Sequence, residues 1–214
     1  MQAIDGIFYV VVLIMSVVVH EFAHGYVAYR LGDDTARLQG RLTLNPLKHL
    51  DPFGSVLLPL MLILSNAGFV IGWARPVPYN PNNLKNYKKG TILVSVAGIL
   101  ANLFVAIMFG LVIRMAPSFG IAPYIVDPTI IQPFYRITTI IVLTNLVLAI
   151  FNLIPIPPLD GSKILFSLLP ARLRNIENFL ERWGIVVLLF FIIFLWGYVS
   201  PLIFMAFSLV TGLY

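Results

Sequence analysis

Cysteine is absent from this 214-residue chain. Disulfides, thiolate catalysis and cysteine-held metal are therefore excluded, and any metal must be held by His, Asp or Glu. Charge is scarce as well. Charged residues make up 11% and hydrophobic residues 59%, against roughly 25% and 45–50% in a soluble domain. With a mean hydropathy of +0.94, the chain has too little charge to coat a water-facing globule of its size. An integral membrane protein is what remains. Acidic residues are outnumbered 9 to 14 by Lys and Arg. The resulting net charge of +5 would elsewhere suggest nucleic acid. Here it reads as the basic excess of loops that stay in the cytoplasm. No basic leader or small-residue cleavage site precedes the first apolar run at Ile4, so that run reads as a retained span.

What the chain does have is long apolar runs. About 20 such residues cross a bilayer core of about 30 Å. Residues 4–29 form the first run, unbroken by Pro, with His20, Glu21 and His24 in its second half. Residues 91–115 and 137–154 form the second and third. The 32 residues 183–214 carry no charge and read as one tilted span, or as a span followed by an interfacial tail after Pro201. After the first run, the alternation Arg41-Leu42-Thr43-Leu44 predicts a brief β-strand. Residues 52–72 are apolar but interrupted by Gly54, Pro59, Asn66 and Gly68. Arg30, Arg37, Arg41 and Lys48 precede that segment, and Arg75, Lys85, Lys88 and Lys89 follow it. Both flanks thus read as cytoplasmic, and the segment as a re-entrant hairpin. The Pro-rich loop 116–135 then falls outside and residues 163–182 inside. The expectation is an all-α polytopic membrane protein: about four transmembrane helices, a re-entrant or hairpin segment and a short strand. Residues 1–214 form one domain, with a core over about residues 4–170 and the C-terminal hydrophobic part at 183–214.

His20-Glu21-Phe22-Ala23-His24 is an HExxH motif on an expected helix. At about 100° per residue, the two His differ by about 40° and project from one face a turn apart, close enough to hold one zinc ion. Glu21 stands beside that ion as a general base for zinc-activated water. Three packed polar residues would be the bland alternative, but ionisable groups inside a span default to function. Two His leave a catalytic zinc short of one protein ligand. His49 and the loop carboxylates Asp33, Asp34, Asp127, Glu177 and Glu181 compete for that place with Asp160. Asp160 follows a break at Pro155, Pro157 and Pro158 that the charge pattern puts on the cytoplasmic side, at the depth where His24 nears the end of its helix. Alone, Asp160 reads equally well as a helix N-cap.

The HEFAH motif, the run Asn152-Leu153-Ile154-Pro155-Ile156-Pro157-Pro158-Leu159-Asp160-Gly161, and Ala97-Gly98 with Asn102 between them together resemble the site-2 protease family of intramembrane zinc metalloproteases. The resemblance spans about residues 4–170. It implies one zinc per chain on His20, His24 and Asp160, and cleavage of transmembrane or membrane-tethered substrate proteins. The chain has no room for the PDZ or CBS domains that many members carry. Asn102, an amide within a span, could hydrogen-bond substrate backbone or the oxyanion, or simply join two helices. Asn152 reads as structural or as support for a ligand. The expected location is the cell membrane, with the active site towards the cytoplasm and the lipid bilayer and transmembrane proteins as partners. A metal-ion transporter or channel using the HExxH site would need polar residues continuing across the other spans, and apart from Asn102 residues 91–115 offer little. A non-catalytic homologue that binds membrane proteins should have a damaged motif, yet Glu21 is intact.

Overall fold

The computed structural model describes residues 3–65, 75–121 and 128–213. They form α1 (Ala3–Arg30), α2 (Thr35–Leu38), α3 (Leu58–Leu64), α4 (Tyr87–Met115), α5 (Pro128–Asn152), α6 (Asp160–Leu168), α7 (Arg174–Phe190) and α8 (Trp196–Thr211). Four stretches are long and apolar enough to cross a membrane: Phe8–Arg30, Tyr87–Phe119, Ile131–Asn152 and Arg174–Thr211. The chain is a multi-pass all-α membrane protein, as its composition requires.

α4 is the central element and packs against α1, α5, α6 and α8. Its buried face carries small residues, among them Ser95, Gly98, Ala106 and Gly110. Lipid tails are as apolar as leucine, so helices in a bilayer associate through close backbone approach and interhelical hydrogen bonds rather than apolar burial. Small residues permit that approach: Val210 of α8 lies directly over Gly110. A core of Ala106, Ile113, Val142, Leu146 and Ile203 joins α4, α5 and α8. Leu100, Phe104, Met108 and Leu111 of α4 point outward, the surface expected to meet lipid.

His49 and Arg75 stand together at the two ends of residues 50–74. The Arg75 N–H donates to the His49 carbonyl at 2.8 Å, so the segment starts and ends at one level. Within it Asp51 caps the start, accepting from the N–H groups of Phe53 and Gly54, with Pro52 in the first turn. A π-helical turn, Pro52–Leu57, runs into α3. Together they are about 20 Å long, short of the roughly 30 Å needed to cross. The meeting of its two ends accords with the expected re-entrant reading; residues 66–74, with Asn66 and Gly68 among them, lie outside the described residues.

Three expectations change in detail. There is no strand among the described residues. Residues 41–44 find no backbone partner strand; Arg41 instead donates from its guanidinium to the carbonyls of Arg75 and Pro76, and His49 Nε2 reaches Thr43 O. α5 begins at Pro128, earlier than expected, and carries Pro133 inside it. Proline was read there as loop, but one near a helix start removes a single hydrogen bond. The C-terminal part is one helical run, Arg174–Thr211, with a π-helical turn at Phe191–Leu195 and Pro201 inside α8. At about 57 Å it exceeds the bilayer core, so its polar start stands clear.

Asp33 joins the end of α1 to the loop before α4. Fully buried, its carboxylate accepts from Thr35 Oγ1 at 2.5 Å, the Asn80 N–H at 2.7 Å and Asn83 Nδ2 at 2.8 Å.

Candidate metal centre

α1 and α6 bring three side chains to one point. His20 and His24 face the same way one turn apart on α1. α6 begins at Asp160, immediately after the Pro-rich break, and Leu159 rather than Asp160 occupies its N-cap position. The carboxylate is thus free to turn toward α1. Asp160 Oδ2 lies 3.0 Å from Nε2 of His20 and 3.0 Å from Nε2 of His24, and the two Nε2 atoms are 2.9 Å apart. All three residues are buried. Gly161 lets α6 start here, because a Cβ on it would run into the carbonyls of Leu153 and Ile154.

α4 fixes the protons. His20 Nδ1 donates to Asn102 Oδ1 at 2.6 Å, and His24 Nδ1 donates to the Val94 carbonyl at 2.7 Å. Both neutral rings therefore present an Nε2 lone pair to the centre. Two lone pairs and a carboxylate oxygen converge with no proton to share, which is the donor set of a divalent cation. Two His and one carboxylate match the ligands of catalytic zinc. Among the described residues, His20, His24 and Asp160 are the group able to hold a metal. The other Asp160 oxygen, Oδ1, accepts from Lys163 Nζ at 3.0 Å. Burial pushes the Asp160 carboxyl up, and the Lys163 ammonium on Oδ1 works against that by favouring the ionised form.

Asn102 itself is fully buried. Besides holding His20, it donates to Ser16 O at 3.1 Å and to Asn145 Oδ1 at 2.8 Å. Asn145 in turn donates to Ser16 Oγ at 2.9 Å. Of the two roles open to Asn102, joining helices is the one these bonds display, across α1, α4 and α5. Asn145 and Ser16 were not singled out from the sequence, although an amide within a span and a hydroxyl one turn before His20 were the available signals. Asn152 donates to Leu148 O within its own helix.

Glu21 projects from α1 beside the two His, and its Oε2 accepts the Val77 N–H at 2.7 Å. The Pro76 carbonyl of that same peptide group accepts from the Arg41 guanidinium at 3.3 Å. One peptide plane therefore lies between a cation and the motif's carboxylate, an arrangement no local sequence pattern announces. Gly25 leaves space for it: a Cβ there would stand 2.7 Å from Val77 Cγ1. His49, the competing ligand, is not in the cluster, since its Nε2 is spent on Thr43 O at 2.7 Å. Asp33, Asp34, Glu177 and Glu181 are outside it as well, and Asp127 lies outside the described residues.

A His–His–Asp cluster with an adjacent glutamate, set among membrane spans, defines a membrane metalloprotease. The comparisons agree. The profile of peptidase family M50 matches residues 123–195. The protein named "Putative zinc metalloprotease YwhC" of Bacillus subtilis is 42% identical over 193 residues, covering 90% of this chain and 80% of its own. "Putative zinc metalloprotease Rip2" of Mycolicibacterium smegmatis is 29% identical over 190 residues, 88% of this chain and 68% of its own. Its namesake in Mycobacterium tuberculosis is 31% identical over 163 residues, 74% of this chain and 57% of its own. No solved structure matches the chain. The chain belongs to peptidase family M50, the site-2 proteases.

Proposed function

We propose that this protein is a single-domain intramembrane zinc endopeptidase that hydrolyses peptide bonds of transmembrane or membrane-tethered proteins. The observation that carries the reading is the convergence of two His Nε2 lone pairs and Asp160 Oδ2 within 3.0 Å of one another, with Glu21 next in sequence to His20. His20, His24 and Asp160 hold one zinc ion. When bound, that ion supplies Lewis acidity, lowering the pKa of a water molecule and polarising the carbonyl to be cut.

The remaining chemistry belongs to side chains of this chain. Glu21 takes a proton from the attacking water and returns it to the departing amine. Its Oε2 is held by the Val77 N–H, which leaves Oε1 as the oxygen that moves the proton. Asn102 and Val94 keep both imidazoles in the tautomer that presents Nε2, and Lys163 orients Asp160 by holding its outer oxygen. Substrate must arrive locally unwound, because a helix hides its carbonyls in its own hydrogen bonds. Basic residues on both flanks of the re-entrant segment support a site that faces the cytoplasm.

The test compares the parent with Glu21→Gln, by zinc content and by cleavage of a panel of transmembrane peptides. The amide is expected to keep its zinc and to lose cleavage. A variant that loses the metal, or one that still cuts at the parent rate, refutes the assignment.

A further inference from the structure

Arg41 keeps only 9% of its surface exposed. A buried charge is ordinarily paired with an opposite one, because taking it out of water is costly. The guanidinium of Arg41 instead meets two backbone carbonyls, Arg75 O at 2.8 Å and Pro76 O at 3.3 Å. Its buried Nε has no partner among the described residues. A charge held on such terms returns little stability, and departures of this kind gather at functional sites.

Both carbonyls belong to a short segment that ends on Glu21. The Pro76 carbonyl and the Val77 N–H are two sides of one peptide plane: the carbonyl takes the guanidinium, and the N–H donates to Glu21 Oε2 at 2.7 Å. Arg75 is gripped on both sides, its N–H by the His49 carbonyl and its carbonyl by Arg41. α1 supplies the floor. Gly25 follows Glu21 by four residues and shares its face. Around its Cβ position stand Val77 Cγ1 at 2.7 Å, Leu42 Cδ1 at 3.3 Å and Ala36 Cβ at 3.4 Å. The loop that carries Arg41 and the segment that meets Glu21 therefore pack on one patch of α1. Burial and the charge of Arg75 disfavour the ionised guanidinium, and Glu21 is the charge that favours it. A peptide polarised by a cation at its carbonyl donates more strongly through its N–H.

We propose that Arg41 is a positioning residue for the proton-moving carboxylate: through the Pro76–Val77 peptide it holds Glu21 Oε2 in place and leaves Oε1 to act. Its side-chain bonds run to none of His20, His24 and Asp160, so its loss should spare the metal. The inference rests on the protease reading given above and adds a residue outside the motif on which the rate depends.

The experiment uses the full chain with zinc and compares Arg41→Gln, which keeps an N–H donor without the charge, with Arg41→Lys, which keeps the charge. On a transmembrane peptide that the parent cuts, Arg41→Gln should lower kcat by about 10–100-fold, a part of the roughly 10²–10⁴-fold that a positioned base supplies. KM and zinc content should stay at the parent values, and Arg41→Lys should regain most of the loss. The Kd of the same peptide for Glu21→Gln should not change when Arg41→Gln is added. A residue that merely ties two loops together would lower zinc content or peptide affinity along with the rate, and Gln would replace it as well as Lys does. Any of these results overturns the proposal, as does a parent-like kcat in Arg41→Gln. A second readout needs no cleavage. The Val77 amide proton, followed by NMR, should move upfield on Arg41→Gln in the parent and by less in Glu21→Gln, because both side chains act on one peptide. Equal movement in the two backgrounds refutes the link. A parent that cuts no peptide while the amide still shows this coupling sinks the protease reading and leaves the link from Arg41 to Glu21 standing.

Discussion

Gly98→Ala is the smallest change that should dismantle the centre. The added methyl carbon would stand 2.6 Å from Cε1 of His20 and 2.6 Å from both Cε1 and Nε2 of His24. Ordinary contact begins near 3.4 Å, so α4 or the two rings must retreat by at least about 0.8 Å. The rings cannot retreat freely, because each is tied by Nδ1 to α4 itself, through Asn102 and Val94. Moving α4 instead opens its packing against α1. Either response costs about 1–3 kcal/mol as overpacking. Metal sites tolerate only about 0.2 Å in ligand distance, so zinc affinity should fall by at least about 10–100-fold, the usual toll of disturbed ligand support. Zinc per chain measured by mass spectrometry after dialysis against a graded chelator reads this directly, and cleavage should fall with it. Gly197→Ala is the control: nothing lies within 4 Å of its Cβ position, and alanine favours helix by up to about 1 kcal/mol. Full zinc occupancy and normal cleavage in Gly98→Ala would refute the packing argument.

Other consequences are equally open to measurement. Asp160→Ala should lower zinc occupancy far more than His49→Ala, since only the former removes a converging donor; the reverse order in a metal titration would mean the ligand set is wrong. Burial pushes the Asp33 carboxyl up, but hydrogen bonds from Thr35, Asn83 and Asn80 outweigh it and hold it below its ordinary 3.8. The unfolded chain therefore takes up this proton first. The stabilisation is complete above about pH 4 and drains away as pH falls through the lowered value. Asp33→Asn should be less stable than the parent near pH 7, and the gap should narrow below pH 4 in thermal unfolding scans; a constant gap would exclude the ionised carboxylate as the cause. In this cysteine-free chain, cysteines introduced at Gln39 and Lys88 should resist an impermeant thiol reagent applied from outside the cell, whereas one at Ser118 should react. Labelling at Lys88 alone among the first two would show that the re-entrant segment crosses.

The parts of the site carried by a short stretch of sequence were legible in advance. HExxH places two imidazoles on one helical face by periodicity alone, and a triple-proline break announces a turn before Asp160. Apart from Asp160, which the charge pattern and the resemblance set beside the two His, contacts across long separations were not. Asn102 meets His20 from 82 positions away, and Val77 meets Glu21 from 56. A backbone N–H leaves no trace in residue identity, so the second contact had no signal at all. The fold shows the same division. Lys and Arg on both flanks foretold that His49 and Arg75 lie at one level, a consequence of charge and membrane physics. The strand at residues 41–44 was read from alternation, but a strand exists only if a partner pairs with it, and here Arg41 reaches the neighbouring segment by its side chain instead.

The centre also carries a timetable. On the proposed ligand set its first donors come from residues 20 and 24, and its last from residue 160, 140 positions after the first. A ribosome making the chain delivers α1 and α4 well before α6, so His20, Glu21 and His24 enter the membrane with their Asn102 and Val94 supports but without the carboxylate. Through that interval the nascent polypeptide offers a metal only two imidazoles. On the proposed ligand set the centre is complete only once Asp160 has been made, and a product truncated ahead of it lacks the carboxylate.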